Sequence, residues 1–126
     1  MVTTWRIREQ SAFADLRRRG RRSRSGPVSV TWSAAVDPTE PPRVGYAIGK
    51  VVGNAVTRNR VRRRLQAVIA SVATDLGAGT YLVGAGPAAA ATTYAELASG
   101  LVTALVALPQ PGGLAAPPQV VATGVA

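Results

Sequence analysis

The stretch RVGYAIGKVVGNAVTRNRVRRRLQAVIASV, residues 43–72, changes its period half-way along. Over residues 43–50 the side chains alternate, with Val44, Tyr46 and Ile48 on one face and Gly45, Ala47 and Gly49 on the other. That is a strand. A face made of Gly, Ala and Gly has no bulk, so either another backbone packs tightly on it or it floors a shallow groove. Beyond Gly53 the apolar residues Val61, Leu65, Val68 and Val72 fall at helical spacing and form one continuous seam. Asn54 is a suitable N-cap for that helix.

Five arginines occupy the seven positions 58–64 of this segment. At about 100° per residue, Asn59, Arg60 and Arg63 point away from the seam, whereas Arg58, Arg62 and Arg64 flank it and can snorkel outward. Cations at a helix N-terminus oppose the macrodipole, at a cost of a few tenths to about 1 kcal/mol each. A choice made for helix stability would place acids there. The plain alternative, a solvated helix face, is weakened accordingly, and a phosphate ligand fits the position better.

The whole-chain charge points the same way. Of 126 residues, 15 are basic and six acidic, a formal balance of +9. Residues 1–64 hold every basic residue and four of the acids, a balance of +11, while residues 65–126 carry only Asp75 and Glu96. So lopsided a split suggests a polyanionic partner, nucleic acid before an anionic membrane. Lys50 is the single lysine. Arginine grips phosphate oxygens in pairs and stacks on bases.

Chemistry of the catalytic kind is sparse. The chain has no histidine and no cysteine, and its acids are scattered; Asp37 and Glu40 lie together only in the proline-rich turn DPTEPP. Phosphodiester hydrolysis normally needs clustered carboxylates for metal ions or a histidine for proton transfer. We therefore expect no catalytic residue and no metal ligand in this chain. No segment reads as a secretory leader or as a membrane span of about 18 apolar residues, and the expectation is a soluble cytoplasmic protein.

The remaining elements follow from local pattern. Residues 5–19 read as an amphipathic helix starting around Ser11 or slightly earlier, with Ala12, Phe13 and Leu16 apolar and Gly20 as its stop. GRRSRSG (20–26) is a loop or an edge strand, and VSVTWSA (28–34) a strand burying Val28, Val30 and Trp32. GAGTYLVGAG (77–86) is a glycine-bounded strand. TYAE (93–96) is a capping box opening a last helix that buries Tyr94, Leu97, Leu101, Leu105 and Leu108. From Pro109 the chain is uncharged and rich in proline and glycine, which predicts a disordered tail over 109–126 after a single domain of residues 1–108.

RVGYAIGKVVGNAVTRNRVRRRL closely resembles the signature of the bacterial ribonuclease P protein component, with Asn54, Arg58, Asn59, Arg60, Arg62 and Arg63 on pattern positions. RIREQSAF and GTYLVGAGPAA…TYAEL extend the likeness over roughly residues 5–108. The resemblance implies a single-domain α+β fold of order α-β-β-β-α-β-α, a ribosomal-protein-like two-layer sandwich with a left-handed βαβ crossover. It also implies a role: a subunit that contacts the catalytic RNA and the 5′ leader of precursor tRNA, while the RNA and its Mg2+ ions cut the leader away. No membrane or DNA partner is expected.

On that resemblance, Lys50, Asn54, Arg58, Asn59, Arg60, Arg62 and Arg63 form the RNA-contact strip. Asn54 suits a helix cap as well as a contact, and Arg64, just past the pattern, suits either a contact or the solvated edge of the seam. The family's leader cleft uses stacking aromatics. Phe13 matches the first of them, but the next two positions fall on Arg17 and Thr31; an arginine can stack on a base, a threonine cannot. Arg17, Arg18, Arg19, Arg21, Arg22 and Arg24 read as diffuse phosphate attraction or as solubilising charge. A ribosomal-type RNA-binding protein without a processing role would share the basic patch and the size, and the GNAV-x-RNR match is what separates the two. A stand-alone metal nuclease is disfavoured by the missing ligands.

Overall fold

The computed structural model describes residues 5, 6, 16, 18, 20–35 and 37–115. Five strands form one mixed sheet: β1 (Trp5–Arg6), β2 (Arg21–Ser25), β3 (Val28–Ser33), β4 (Arg43–Ala47) and β5 (Thr80–Ala85), in the order β1-β4-β5-β3-β2. β4 and β5 are parallel neighbours, and the chain crosses between them through helix α1 (Ala55–Val72). Helix α2 (Tyr94–Val106) follows β5, lies over β2 and β3, and packs beside α1. The α+β sandwich implied by the sequence is therefore the architecture that forms.

The two periods read from residues 43–72 set the layers. Val61, Leu65, Val68 and Val72 are all at most 3% exposed, and Ile69 joins them. They meet Val44 of β4, Val28, Val30 and Trp32 of β3, Tyr81 and Val83 of β5, and Leu97, Leu101 and Leu105 of α2 in a single core. Each fully buried aliphatic side chain contributes about 1.5–3 kcal/mol. Both helices lie on this face. The capping box is complete: Glu96 N–H donates to Thr93 Oγ1 (3.2 Å), and Thr93 N–H and Oγ1 donate to Glu96 Oε1 (3.2 and 2.9 Å). Those bonds hold the Glu96 carboxyl below its ordinary pKa.

At the N-terminal end the structure departs from the helix expected over residues 5–19. Trp5 and Arg6 pair in parallel with Arg43 and Val44 as an edge strand, because β4 would otherwise leave a row of backbone groups unpaired. Helical backbone is present at Leu16 and Arg18, and Gly20 N–H closes onto Leu16 O at 2.9 Å, so Gly20 stops the turn as expected. A Cβ at Gly20 would lie 2.6 Å from Thr31 Cγ2, which seats this turn against β3. Ser11, Ala12, Phe13 and Arg17 lie outside the described residues. GRRSRSG resolves as the edge strand β2 rather than a loop. The strand expected over 43–50 ends at Ala47, and Lys50–Val52 form a short 3-10 turn. Tyr94, placed in the core by its spacing, is 45% exposed because it opens α2 at a cap rather than over the sheet.

The tail needs the largest correction. Residues 109–115 belong to the fold, and only residues 116–126 lie outside the described residues. Leu114 is 1% exposed within the core, and its N–H bonds Leu105 O at 3.1 Å. Gly113 N–H donates to Tyr81 Oη (2.8 Å), Tyr81 Oη donates to Gly77 O (2.6 Å), and Gly77 N–H donates to Gly113 O (2.8 Å). Burial pushes the Tyr81 phenol up to about 12. Composition suggested disorder, but this segment closes the core beneath α2, so the domain runs through Leu114. Leu114→Ala is expected to cost about 2–5 kcal/mol in urea unfolding; a free tail would give no change.

Candidate nucleic-acid interface

The start of α1 is built by Gly53 and Asn54. Gly53 has φ 150°, a region that disfavours side chains, and a Cβ there would lie 3.0 Å from Thr57 Cβ. Asn54 Oδ1 accepts from Thr57 N–H at 2.9 Å, and Asn54 O accepts from Arg58 N–H at 2.9 Å. The Gly-Asn pair thus turns the chain and caps the helix, so a structural role for Asn54 is established.

From that start the arginines fan out as the 100° rule requires. Val56, Asn59, Arg60 and Arg63 form the exposed face of α1, while Arg58, Arg62 and Arg64 are half-buried at its edges. The first turn holds no acid and the last turn no base, the reverse of what the macrodipole favours. The ion pair between Arg43 and Glu40 (3.5 Å) involves none of these side chains. Arg58 Nε is buried without a hydrogen-bond partner, a donor left unmatched inside the chain.

Two of the arginines also have structural bonds. Arg60 Nη2 donates to Ala90 O and Arg64 Nη1 to Thr92 O, both at 3.3 Å. Their acceptors lie in and just after the 3-10 turn Pro87–Ala91, against which the Lys50–Val52 turn also packs. Lys50, exposed, is thereby carried to the same end of the molecule as the arginine face.

The same 3-10 turn borders a second surface. On the side of the sheet away from α1 and α2, strand register lines up two rows of side chains. One runs Arg24, Ser29, Gly84, Ala47 and the other Arg22, Thr31, Leu82, Gly45. Together with Pro87 and Ala88, all of these but the buried Gly45 bound an open groove of about 540 Å3. Of the small residues on this face Ala47 lines the groove, whereas Gly45 is buried. Thr31 stands in it, Trp32 points to the core, and Phe13 and Arg17 lie outside the described residues. Val56, 74% exposed, was not singled out from sequence, and Arg22 and Arg24, read there only as diffuse phosphate attraction or solubilising charge, line the groove. The R-x-R spacing in β2 was the available signal for the arginines. Among the described residues no three His, Cys, Asp or Glu side chains gather into a possible metal site, and no helix is long and apolar enough to cross a membrane.

The family model described as Ribonuclease P matches residues 1–108. The chain belongs to the Ribonuclease P protein family. A relative from Beutenbergia cavernae, described as Ribonuclease P protein component, is 46% identical over 93 residues, 73% of this chain and 77% of its own length. Another of that description, from Acidothermus cellulolyticus, is 40% identical over 101 residues, covering 79% and 83%. The fold agrees with the solved RNase P protein of Staphylococcus aureus at a TM-score of 0.75 and 21% identity, over 82% of this chain and 94% of that one. It agrees with that of Thermotoga maritima at 0.73 and 15%, over 82% and 97%.

For this Ribonuclease P family member the GNAV segment has a dual character, half fold and half surface. Asn54→Ala is expected to lower stability by about 0.5–2 kcal/mol, and Asn54→Ser to keep most of it. Thermal unfolding of the two variants checks this, and RNA affinity of the Ser variant then reports whether the amide itself meets RNA.

Proposed function

We propose that this chain acts in the cytoplasm as the RNA-binding protein subunit of ribonuclease P, binding both the catalytic RNA and the 5′ leader of precursor tRNA. Family membership carries the subunit role. The exposed face of Asn59, Arg60 and Arg63, unpaired with any described carboxylate, supports its use as a polyanion grip. Arg58, Arg62, Lys50 and Asn54 border that face and belong to the same surface, and Arg64 steadies its edge through Thr92. Phosphate contacts of this kind bring affinity and orientation rather than sequence preference.

On this reading bond cleavage belongs to the RNA partner and the Mg2+ ions it holds. The groove beneath Thr31 is the assigned seat of the single-stranded leader, flanked by the helical turn that ends at Gly20. A ribosomal-type role without processing has the same charge but does not account for the family match.

Reconstitution with a bacterial ribonuclease P RNA at low Mg2+ is the decisive test. The protein is expected to restore removal of the 5′ leader from precursor tRNA; no stimulation would sink the reading. Replacing Arg60 and Arg63 by alanine is expected to flatten the dependence of log affinity on log salt by about 0.7–0.9 for each phosphate no longer neutralised. An unchanged slope would mean that these side chains do not meet phosphates.

A further inference from the structure

We infer that the RNA partner meets the cationic end of this molecule at unpaired bases, on which Tyr94 stacks and which Val51 and Val56 cover, rather than along a regular duplex. The inference rests on the subunit reading above and names the kind of RNA element that this surface takes.

Placement supplies the first support. Among the described residues the exposed large apolar side chains are Val51 (71%), Val56 (74%) and Tyr94 (45%), and all three border the arginine face. Val56 shares one stripe of α1 with Asn59, Arg60 and Arg63, at i, i+3, i+4 and i+7. Val51 lies beside the exposed Lys50 in the 3-10 turn that packs against Pro87–Ala91. Tyr94 follows Thr92 by two residues, and Thr92 O accepts from Arg64 Nη1. Apolar side chains scattered singly are ordinary, but apolar side chains gathered within a polar surface mark an interaction site. The nearby Val52 and Val61 are at most 4% exposed, so the core takes those valines and leaves Val51 and Val56 to a partner.

Chemistry then selects the RNA element. A regular RNA duplex turns its phosphates and 2′-hydroxyls outward and keeps its base faces stacked inside, whereas loops and bulges splay bases that aromatic side chains can stack on. Against phosphates alone, three apolar side chains would gain nothing. Helical side chains lean toward the N-terminus, so the Tyr94 ring overhangs the capped end of α2 rather than the core. Glu96, two residues on, is exposed and accepts from Thr93 N–H and Oγ1. A carboxylate that near disfavours a phosphate at Tyr94 and leaves the ring to a neutral base. Arg60 and Arg63 supply the phosphate grip on the neighbouring face.

The test measures binding of the full chain to a bacterial ribonuclease P RNA and, separately, to a fully paired RNA duplex of mixed sequence, over a range of salt. Tyr94→Ala is expected to weaken binding to the ribonuclease P RNA about tenfold, and Val51→Ser/Val56→Ser about threefold. Both should keep the wild-type salt slope, because no phosphate contact is lost. Tyr94→Phe, which keeps the ring, should bind as the wild type does. Duplex affinity should be the same for the wild type and these variants. Tyr94→Leu, which keeps bulk without a π-face, repeats the loss should Tyr94→Ala lower the unfolding temperature. If the wild type binds the ribonuclease P RNA and the Tyr94 and valine variants bind it equally well, the apolar contact is wrong and the subunit reading stands. Losses as large on the duplex, or as large with Tyr94→Phe as with Tyr94→Ala, would also overturn base stacking. If the wild type does not bind that RNA, both readings fall.

Discussion

Burial of the seam Val61–Leu65–Val68–Ile69–Val72 against the sheet fixes the rotation of α1, and with it the direction of every arginine in the helix. Five aliphatic side chains at about 1.5–3 kcal/mol each outweigh an N-terminal dipole penalty of about 0.3–1 kcal/mol per cation. The helix can therefore carry charge in the wrong place for its own stability. That surplus of burial is what lets residues 58–64 carry so much positive charge.

The crossover from β4 to β5 extends this constraint to the sheet. Because α1 and α2 both cover one face, the opposite face of β3, β4 and β5 is left with Ser29, Thr31, Ala47 and Gly84, and a groove results. The Pro87–Ala91 turn borders that groove through Pro87 and Ala88, and its Ala90 carbonyl accepts from Arg60 of α1. One short segment thus joins two cationic surfaces, one helical and convex, the other a sheet groove. On the proposed function, the helical surface would meet the RNA subunit and the groove the single-stranded leader.

Legibility in the sequence tracked how local the cause was. The cap at Asn54, the box at Thr93 and Glu96, and the outward set Asn59, Arg60 and Arg63 follow from spacing within one helix, and all three are present. The family signature lies in that same stretch, so the match to residues 1–108 and the reading from motif agree. Residues 109–115 misled because composition reports average hydration, whereas Leu114 needs only one gap beneath α2 to become core. Trp5 and Arg6 joined the sheet for a partner 38 residues away, Arg43 for Trp5.

The sequence by itself determined the α+β class, the period of each main element, the charged face of α1 and the family, because helix geometry and strand alternation act within a few residues. Only the tertiary structure decided that Arg22 and Arg24 share a groove with Thr31, that Tyr94 stays outside, and that Gly113 is held by Tyr81. Those outcomes depend on strand register and on which gaps the packed core leaves. Both are settled between residues far apart in the chain, where no local pattern reaches.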